Sequence, residues 1–432
     1  MSTGTMLITN TRFLSNLCSC TISRFKMKSR TCTMIWVCCI SFSTFWKSIQ
    51  ADEGIATDKN TLRRTGMFIL PGTLCSTRTS LLVDTGATTA YFDNTIEPQL
   101  QKANTRSQVQ VLTGSANTKA WKYERVPIAI EGMKEQKIDG IAGDLSGLRE
   151  LLGEVNVKAV LGMSYLRHVA SESSEGQLRI LSSVQSRPIR GTEYPLKINQ
   201  AGCPLISVSF PLLGERDALV DSGYFDFLGI SESHARVLMN SGDAVLLGKS
   251  KILTASGVVE QRLIAVREMN ILGTRYENIP AVVGTITKLG IQFVRSQDMT
   301  LDFPAQKLIV AGAPRIALSF PVDASGLRIV WNENNFIVRR IEQDSAASTT
   351  DIQPGDRFET IDGKLTREMP HEEITRLLSM AGTTINLQFK RGTTIHYVKL
   401  RLTRNFEYPP KWKPRSTAAE DFFNSLQEEA PK

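Results

Sequence analysis

Two halves of this 432-residue chain run in step. The first holds LLVDTGATTAYF (81–92), VQVLTGSANTKAWKYERVPIAIEGMKEQKIDG (109–140), KAVLGMSYLRHV (158–169) and GQLRILSS (176–183). The second holds ALVDSGYFDFLG (218–229), SKILTASGVVEQRLIAVREMNILGTRYENIP (250–280), AVVGTITKLGIQFV (281–294) and MTLDFPAQKLIV (299–310). Four segments recur in one order, and the differences fall in the polar stretches between them. Asp84 precedes Gly162 by 78 residues, and Asp221 precedes Gly284 by 63. The repeat is a unit of roughly 110–130 residues, the size of a small domain. Runs such as VPIAI, RLIAV, QLRIL and QKLIV, bounded by Gly, Pro, Asn and Ser, predict short strands. SGLRELLGEV (146–155) and SESHARVLMN (231–240) have helical spacing instead. Each unit is therefore expected to be a β-rich lobe with one or two short helices.

A third region has a different order. NNFIVRRIEQDSAASTTDIQPGDRFETIDGK (334–364) reads as strand, Ser/Ala turn, QPGD turn, strand and DGK turn. A helix from about Pro370 and two strands follow. DSAAS, IQPGDRFETIDGK and HEEITRLL together resemble a bacterial-type PDZ domain over about 314–402. The resemblance implies a peptide C-terminus or an extended strand as ligand, bound by β-augmentation, with GLRIV (326–330) a weak match to the carboxylate-binding turn. A domain that packs on the lobes without a ligand is the alternative. Asn405 onward, with YPPKWKP and mixed charges, is expected to be a disordered tail, 405–432.

The net charge of +8 hints at a nucleic-acid partner, but its placement argues against one. Residues 1–51 hold six Lys and Arg and no acid, leaving 45 basic and 43 acidic residues elsewhere. No basic block remains to grip phosphates. The leading segment has the order of an export signal: basic RFKMKSR, apolar MIWVCCISFSTFW (34–46), then Ala51 before the acids. Thirteen apolar residues span a bilayer poorly, so a cleaved signal peptide is expected, with a retained anchor as the alternative. Translation from Met27 would shorten the basic region to a usual length. An exported or cell-envelope protein, periplasmic or secreted, follows. Five of the seven Cys lie in that segment, and Cys75 and Cys203 are left either to pair or to remain buried thiols. His168, His234, His371 and His396 are scattered, and no metal or nucleotide motif is present.

An Asp-[Thr/Ser]-Gly turn after an apolar strand, at equivalent points of both units, is the feature with chemical content. LLVDTGA, VLTGS, AVLGMSYL, LVDSG, ILTASG, VVG and TLDFPAQKL resemble the retropepsin-like aspartic proteases, in a two-lobed single-chain form covering about 65–313. The resemblance implies a mostly β fold of two tandem β-barrel lobes (52–180 and 181–313), followed by the α+β PDZ-like domain (314–404). It implies Asp84 and Asp221 as a catalytic dyad that hydrolyses peptide bonds with an activated water. Thr85 and Ser222 would bind the opposite loop, and Gly86 and Gly223 would let the loops approach. Val160-Leu161-Gly162 and Val282-Val283-Gly284 match the apolar-apolar-Gly motif packed beside each loop. The segments around Thr113 and Gly114, and around Ala255, Ser256 and Gly257, match flap hairpins, with ordinary surface hairpins the alternative. Peptide or protein substrates, no cofactor, no metal and no need of a dimer follow. Where the family prefers a small residue after the turn, Ala87 fits and Tyr224 does not. Tyr224 narrows the cleft, packs aside, or marks an inactive peptide-binding relative.

Overall fold

The computed structural model describes residues 55–412, apart from 104–105, 114–115, 154, 182–189, 255–256, 313, 315–319 and 333. The leader at 1–51 lies outside the described residues. The described chain enters through β1 (Ile55–Ala56) and helix α1 (Lys59–Thr65). Asp58 caps α1 by accepting from the Thr61 N–H at 2.7 Å, and Gly66 ends it with φ 72°.

The first lobe contains β2 (Ile69–Leu74), β3 (Thr77–Val83), β4 (Ala90–Asp93), β5 (Arg106–Thr113), β6 (Ala116–Ile130), β7 (Gln136–Gly143) and β8 (Val157–Leu161). They form one sheet in the order β2-β3-β8-β4-β7-β6-β5, and β2 also pairs with β6, which rolls it into a barrel. Short helices α2 (Glu97–Ala103), α3 (Ser146–Leu152) and α4 (Met163–Leu166) fill the connections.

The second lobe repeats this arrangement. It holds β12 (Lys197–Ile198), β13 (Pro204–Phe210), β14 (Gly214–Val220), β15 (Leu228–Ser231), β16 (Ala244–Thr254), β17 (Gly257–Ile271), β18 (Thr274–Gly284) and β19 (Lys288–Leu289), with helices α5 (Glu232–Ser241) and α6 (Ile291–Ser296). The order is β12-β13-β14-β19-β15-β18-β17-β16, closed by β13 on β17. Without β12 this is the first lobe strand for strand. The apolar lead-ins make sense here. β3 lies between β2 and β8, and β14 between β13 and β19, so Leu81-Leu82-Val83 and Ala218-Leu219-Val220 are buried throughout.

A third sheet joins the lobes. The hairpin β9 (Ala170–Ser174) and β10 (Gln177–Leu181) pairs with the hairpin β20 (Met299–Asp302) and β21 (Lys307–Val310). The seam is antiparallel, Ser173 opposite Met299 and Ala170 opposite Asp302. β1 and β11 (Thr192–Pro195) complete the order β1-β10-β9-β20-β21-β11. One apolar core runs through both lobes.

The C-terminal domain has its own core around Phe336, Phe358 and Phe389. β22 (Leu327–Asn332), β23 (Asn335–Ile341), β24 (Arg357–Ile361), β26 (Thr384–Arg391) and β27 (Thr394–Arg401) form its sheet, with β25 (Lys364–Leu365) beside β24 and helix α7 (His371–Leu378) packed on it. The molecule is mostly β, two barrel lobes followed by an α+β domain, as its sequence implies.

This domain docks on the lobes. The Arg64 guanidinium of α1 lies 4.7 Å over the Trp331 ring of β22, and Arg63 donates to the Glu368 carbonyl at 3.0 Å. Arg295 of α6 pairs with Glu372 of α7. Gly153, φ +66°, touches the same strand so closely that a Cβ would sit 1.7 Å from the Trp331 carbonyl oxygen. The tail expected to be disordered from Asn405 is instead ordered over 405–412. Tyr408 donates to the Asn278 carbonyl, and the Trp412 indole donates to Asn278 Oδ1 at 2.7 Å beneath the Arg267 guanidinium. Two aromatic rings with polar tips supply the anchoring that composition alone does not register. Cys75 and Cys203 are both free thiols.

Candidate active site

Asp84 and Asp221 follow the last residues of β3 and β14, where the two lobes meet. Each backbone N–H is tied to the parallel neighbour strand: Asp84 to the Leu161 carbonyl at 3.1 Å, Asp221 to that of Leu289 at 2.8 Å. Each carboxylate accepts from its own turn. Asp84 Oδ1 receives the Gly86 and Ala87 amides at 2.8 and 3.1 Å, and Asp221 Oδ1 receives the Gly223 amide at 3.1 Å.

The two turns grip each other. Thr85 Oγ1 donates to the Val220 carbonyl at 2.6 Å and accepts from the Ser222 N–H at 3.0 Å. Ser222 Oγ donates to the Val83 carbonyl at 2.9 Å and accepts from the Thr85 N–H at 3.1 Å. Both hydroxyls are buried, so all four hydrogen bonds are shielded from water. The glycines complete the approach. A Cβ on Gly86 would lie 2.5 Å from Asp221 Cγ, and one on Gly223 would lie 2.4 Å from Asp84 Cγ. Each glycine faces the other lobe's acid. The four supporting residues named from the sequence are thus brought together with both acids.

Each carboxyl lies against the glycine of the facing turn, so the two acids meet across the lobe interface. Burial, and then the Asp221 charge beside it, push Asp84 from 3.8 up to about 7, against the pull of the Gly86 amide and Lys288. Asp84 therefore keeps its proton far above the ordinary carboxyl range. The Cys203 thiol contacts the Gly86 carbonyl at 3.7 Å, and burial plus the two acids raise it to about 11, so it stays protonated.

The apolar-apolar-Gly match at Val282-Val283-Gly284 does not hold. That triplet ends β18, which pairs in parallel with β15 as β7 pairs with β4. The partner of Val160-Leu161-Gly162 is Lys288-Leu289-Gly290. Val83 lies opposite Leu161, and Val220 opposite Leu289. Gly162 and Gly290 share one backbone conformation, φ −91° and −89° with ψ −169° in both. The N–H after each glycine binds the equivalent loop carbonyl, Met163 to Ala87 and Ile291 to Tyr224, both at 2.8 Å. Lys288 breaks the apolar pattern, and the nearest intact apolar-apolar-Gly run is Val282-Val283-Gly284, just upstream. The correct signal was present downstream: Ile291, Phe293 and Val294 repeat the spacing of Met163, Tyr165 and Leu166.

Lys288 is the residue that the sequence missed. Its ammonium donates to Asp221 Oδ2 at 2.9 Å and lies 4.2 Å from the centroid of the Tyr224 ring. Tyr224 therefore packs aside, against its own lobe, with burial raising its hydroxyl well above the ordinary range. Thr113 sits at the tip of the β5–β6 hairpin, and Thr254 lies opposite Gly257 at that of β16–β17. Gly114, Ala255 and Ser256 lie outside the described residues. Among the described residues no cluster of three or more His, Cys, Asp or Glu could hold a metal ion, and no helix is long and apolar enough to cross a membrane.

In the PDZ-like domain, the turn before β22 has internal partners. Asp323 accepts from the Ser325 and Gly326 amides at 3.2 and 2.7 Å, and Ser325 Oγ accepts from the Leu327 amide at 3.0 Å. In the turn expected to receive a ligand, a carboxylate of the chain itself thus holds the Gly326 amide and a hydroxyl holds that of Leu327.

Comparison with known proteins gives three findings. Residues 316–390 match the PDZ domain family model. No curated protein matches the chain. Among solved structures, the aspartic proteinase from Irpex lacteus matches at 15% identity and TM-score 0.36, over 61% of this chain and 98% of that one. The photosystem II D1 C-terminal processing protease matches at 18% identity and TM-score 0.19, over 22% of this chain and 26% of that one. The described chain is thus two duplicated β-barrel lobes united by a joining sheet, followed by a C-terminal domain that matches the PDZ family.

Proposed function

We propose that the protein is an aspartic endopeptidase whose cleft is shared by the two lobes. The observation that carries this is the reciprocal grip, which holds two carboxyl groups from different lobes against each other's glycine. Amide hydrolysis needs a base for water and an acid for the carbonyl oxygen. The ionised carboxylate takes a proton from water as the water oxygen bonds to the carbonyl carbon. The protonated carboxyl gives its proton to the carbonyl oxygen. In the collapse of the resulting diol, the carboxyl that took the water proton gives it to the departing amine nitrogen while the other carboxylate takes a proton from a diol hydroxyl, so the C–N bond breaks and the pair again holds one proton. The hairpin tips would close over an extended peptide and exclude water.

The PDZ domain is proposed to gate this cleft rather than to capture free C-termini. Asp323 occupies the Gly326 amide of its carboxylate turn, and α6, which begins directly after Gly290, carries Arg295 to Glu372 of α7. Export by the leading segment is part of the proposal, and an N-terminus at residue 52 in the extracellular or periplasmic fraction tests it. The Lys288–Asp221 ion pair favours one second reading, a peptide-binding protein in which that acid cannot activate water.

Peptide-library cleavage across pH 3–8 decides between them. Cleavage by the wild type, lost in both Asp84→Asn and Asp221→Asn, is expected. No cleavage by the wild type at any pH, together with peptide binding, would establish the binding protein instead.

A further inference from the structure

The lobes differ most at the position beside the second acid. Val160 of the first lobe is a core residue lying across from Tyr91 of β4. The second lobe has Lys288 across from Gly229 of β15. Ala87 in one loop corresponds to Tyr224 in the other, since each carbonyl accepts from the residue after the motif glycine. The ring has thus moved from the strand to the loop, and a glycine stands where the strand ring was. The space it leaves is filled by the lysine stem: a Cβ on Gly229 would lie 2.8 Å from Lys288 Cγ. Three positions together seat one ammonium ion. Gly229 passes the stem, the Tyr224 face supports the charge, and Asp221 Oδ2 accepts its hydrogen bond at 2.9 Å.

We propose that Lys288 is a positioning residue of the active site, a resident cation that breaks the symmetry of the acid pair by holding Asp221 as the carboxylate and so leaves the proton on Asp84. This deepens the protease reading and rests on it for its catalytic meaning. It makes Asp221 the base toward water and Asp84 the acid toward the carbonyl oxygen. The charged and titratable groups around the ammonium are few. Asp221, Tyr224 and Asp226 face it from the loop after β14 in its own lobe, and Asp84 acts on it across the interface. Cys203 stays neutral beside the acids. Arg328 of β22 acts on Asp226, and His234 hydrogen-bonds Thr287, one residue before the lysine. Asp84 keeps its proton to about pH 7 although Lys288 pulls that value down, so removing the cation moves the step upward.

The test uses the full chain with Lys288→Met, Lys288→Arg and Asp84→Asn. Aspartate side chains labelled with carbon-13 are titrated by NMR, and kcat/KM is followed over pH 4–9. In the wild type, a step near pH 7 that vanishes in Asp84→Asn is expected. In Lys288→Met this step moves alkaline by roughly half a unit or more, and the alkaline limb of kcat/KM moves with it. In Lys288→Arg both stay within a few tenths of a unit of the wild type. A step that does not move in folded Lys288→Met overturns the proposal. If Lys288→Met does not fold, the Lys288 Nζ resonance of the wild type decides. A response to the near-neutral step supports the proposal, and indifference to it overturns it. The NMR step is read without turnover, so absence of cleavage refutes the protease reading alone.

Discussion

Single atoms decide the geometry of the acid pair. Neither Gly86 nor Gly223 has a positive φ, so conformational freedom is not what they supply. They supply room for the facing carboxyl. Gly86→Ala and Gly223→Ala are each expected to lower kcat/KM by at least about a hundredfold, since a displacement on the order of 1 Å at reacting groups has that effect. Far-ultraviolet circular dichroism of either variant should stay native. Asp84 also has a signature in stability. Its proton leaves near 3.8 in the unfolded chain and near 7 in the folded one, so the folded state loses stability as pH rises between those values. Asp84→Asn removes this loss. Its melting temperature should exceed that of the wild type above pH 7, corresponding to about 1–3 kcal/mol, and the difference should vanish near pH 4.

Elements show what could be read from the chain alone. The acids, their hydroxyl neighbours and the glycines were legible because a strand, a turn and a repeat are local patterns. Lys288 was not, because its partner strand β14 and its ring Tyr224 lie more than 60 positions back in the chain, and the pairing that unites them is set by the barrel. The seam between β9 and β20 was hidden for the same reason. QLRIL announces a strand but not its partner. The grip is an element-scale device too, and its energy is cooperative. Thr85→Val and Ser222→Ala each leave buried backbone groups unpaired, which costs about 1–3 kcal/mol. Because the hydroxyls serve the same two loops, the double variant should lose less than the sum, with a coupling of roughly 0.5–3 kcal/mol in urea denaturation.

At the scale of the whole molecule, the joining sheet ties the two lobes into one body, and the PDZ domain rests on that body through polar and aromatic contacts. His371, at the first turn of α7, is held down to about 4 by burial and by the Arg295 charge. Its ordinary value is 6.5, so it is neutral when folded and must charge as the chain unfolds in acid. Stability linked to it is complete above pH 6.5 and is lost progressively as pH falls toward 4. His371→Gln should flatten the wild-type loss of melting temperature over that window, a difference of up to about 2 kcal/mol. Trp412→Ala should lower the melting temperature by a few degrees, by removing the indole from Asn278 and Arg267.

Carrying both lobes on one polypeptide has a consequence of inheritance. In a dimer of identical subunits every codon is expressed on both sides of the axis. A lysine beside one acid would then stand beside the other, and two cations would draw the shared proton away from both. A chain that encodes its halves separately can mutate one and leave its twin alone. Val160 and Lys288 occupy corresponding sites, and only such a chain can keep one of each.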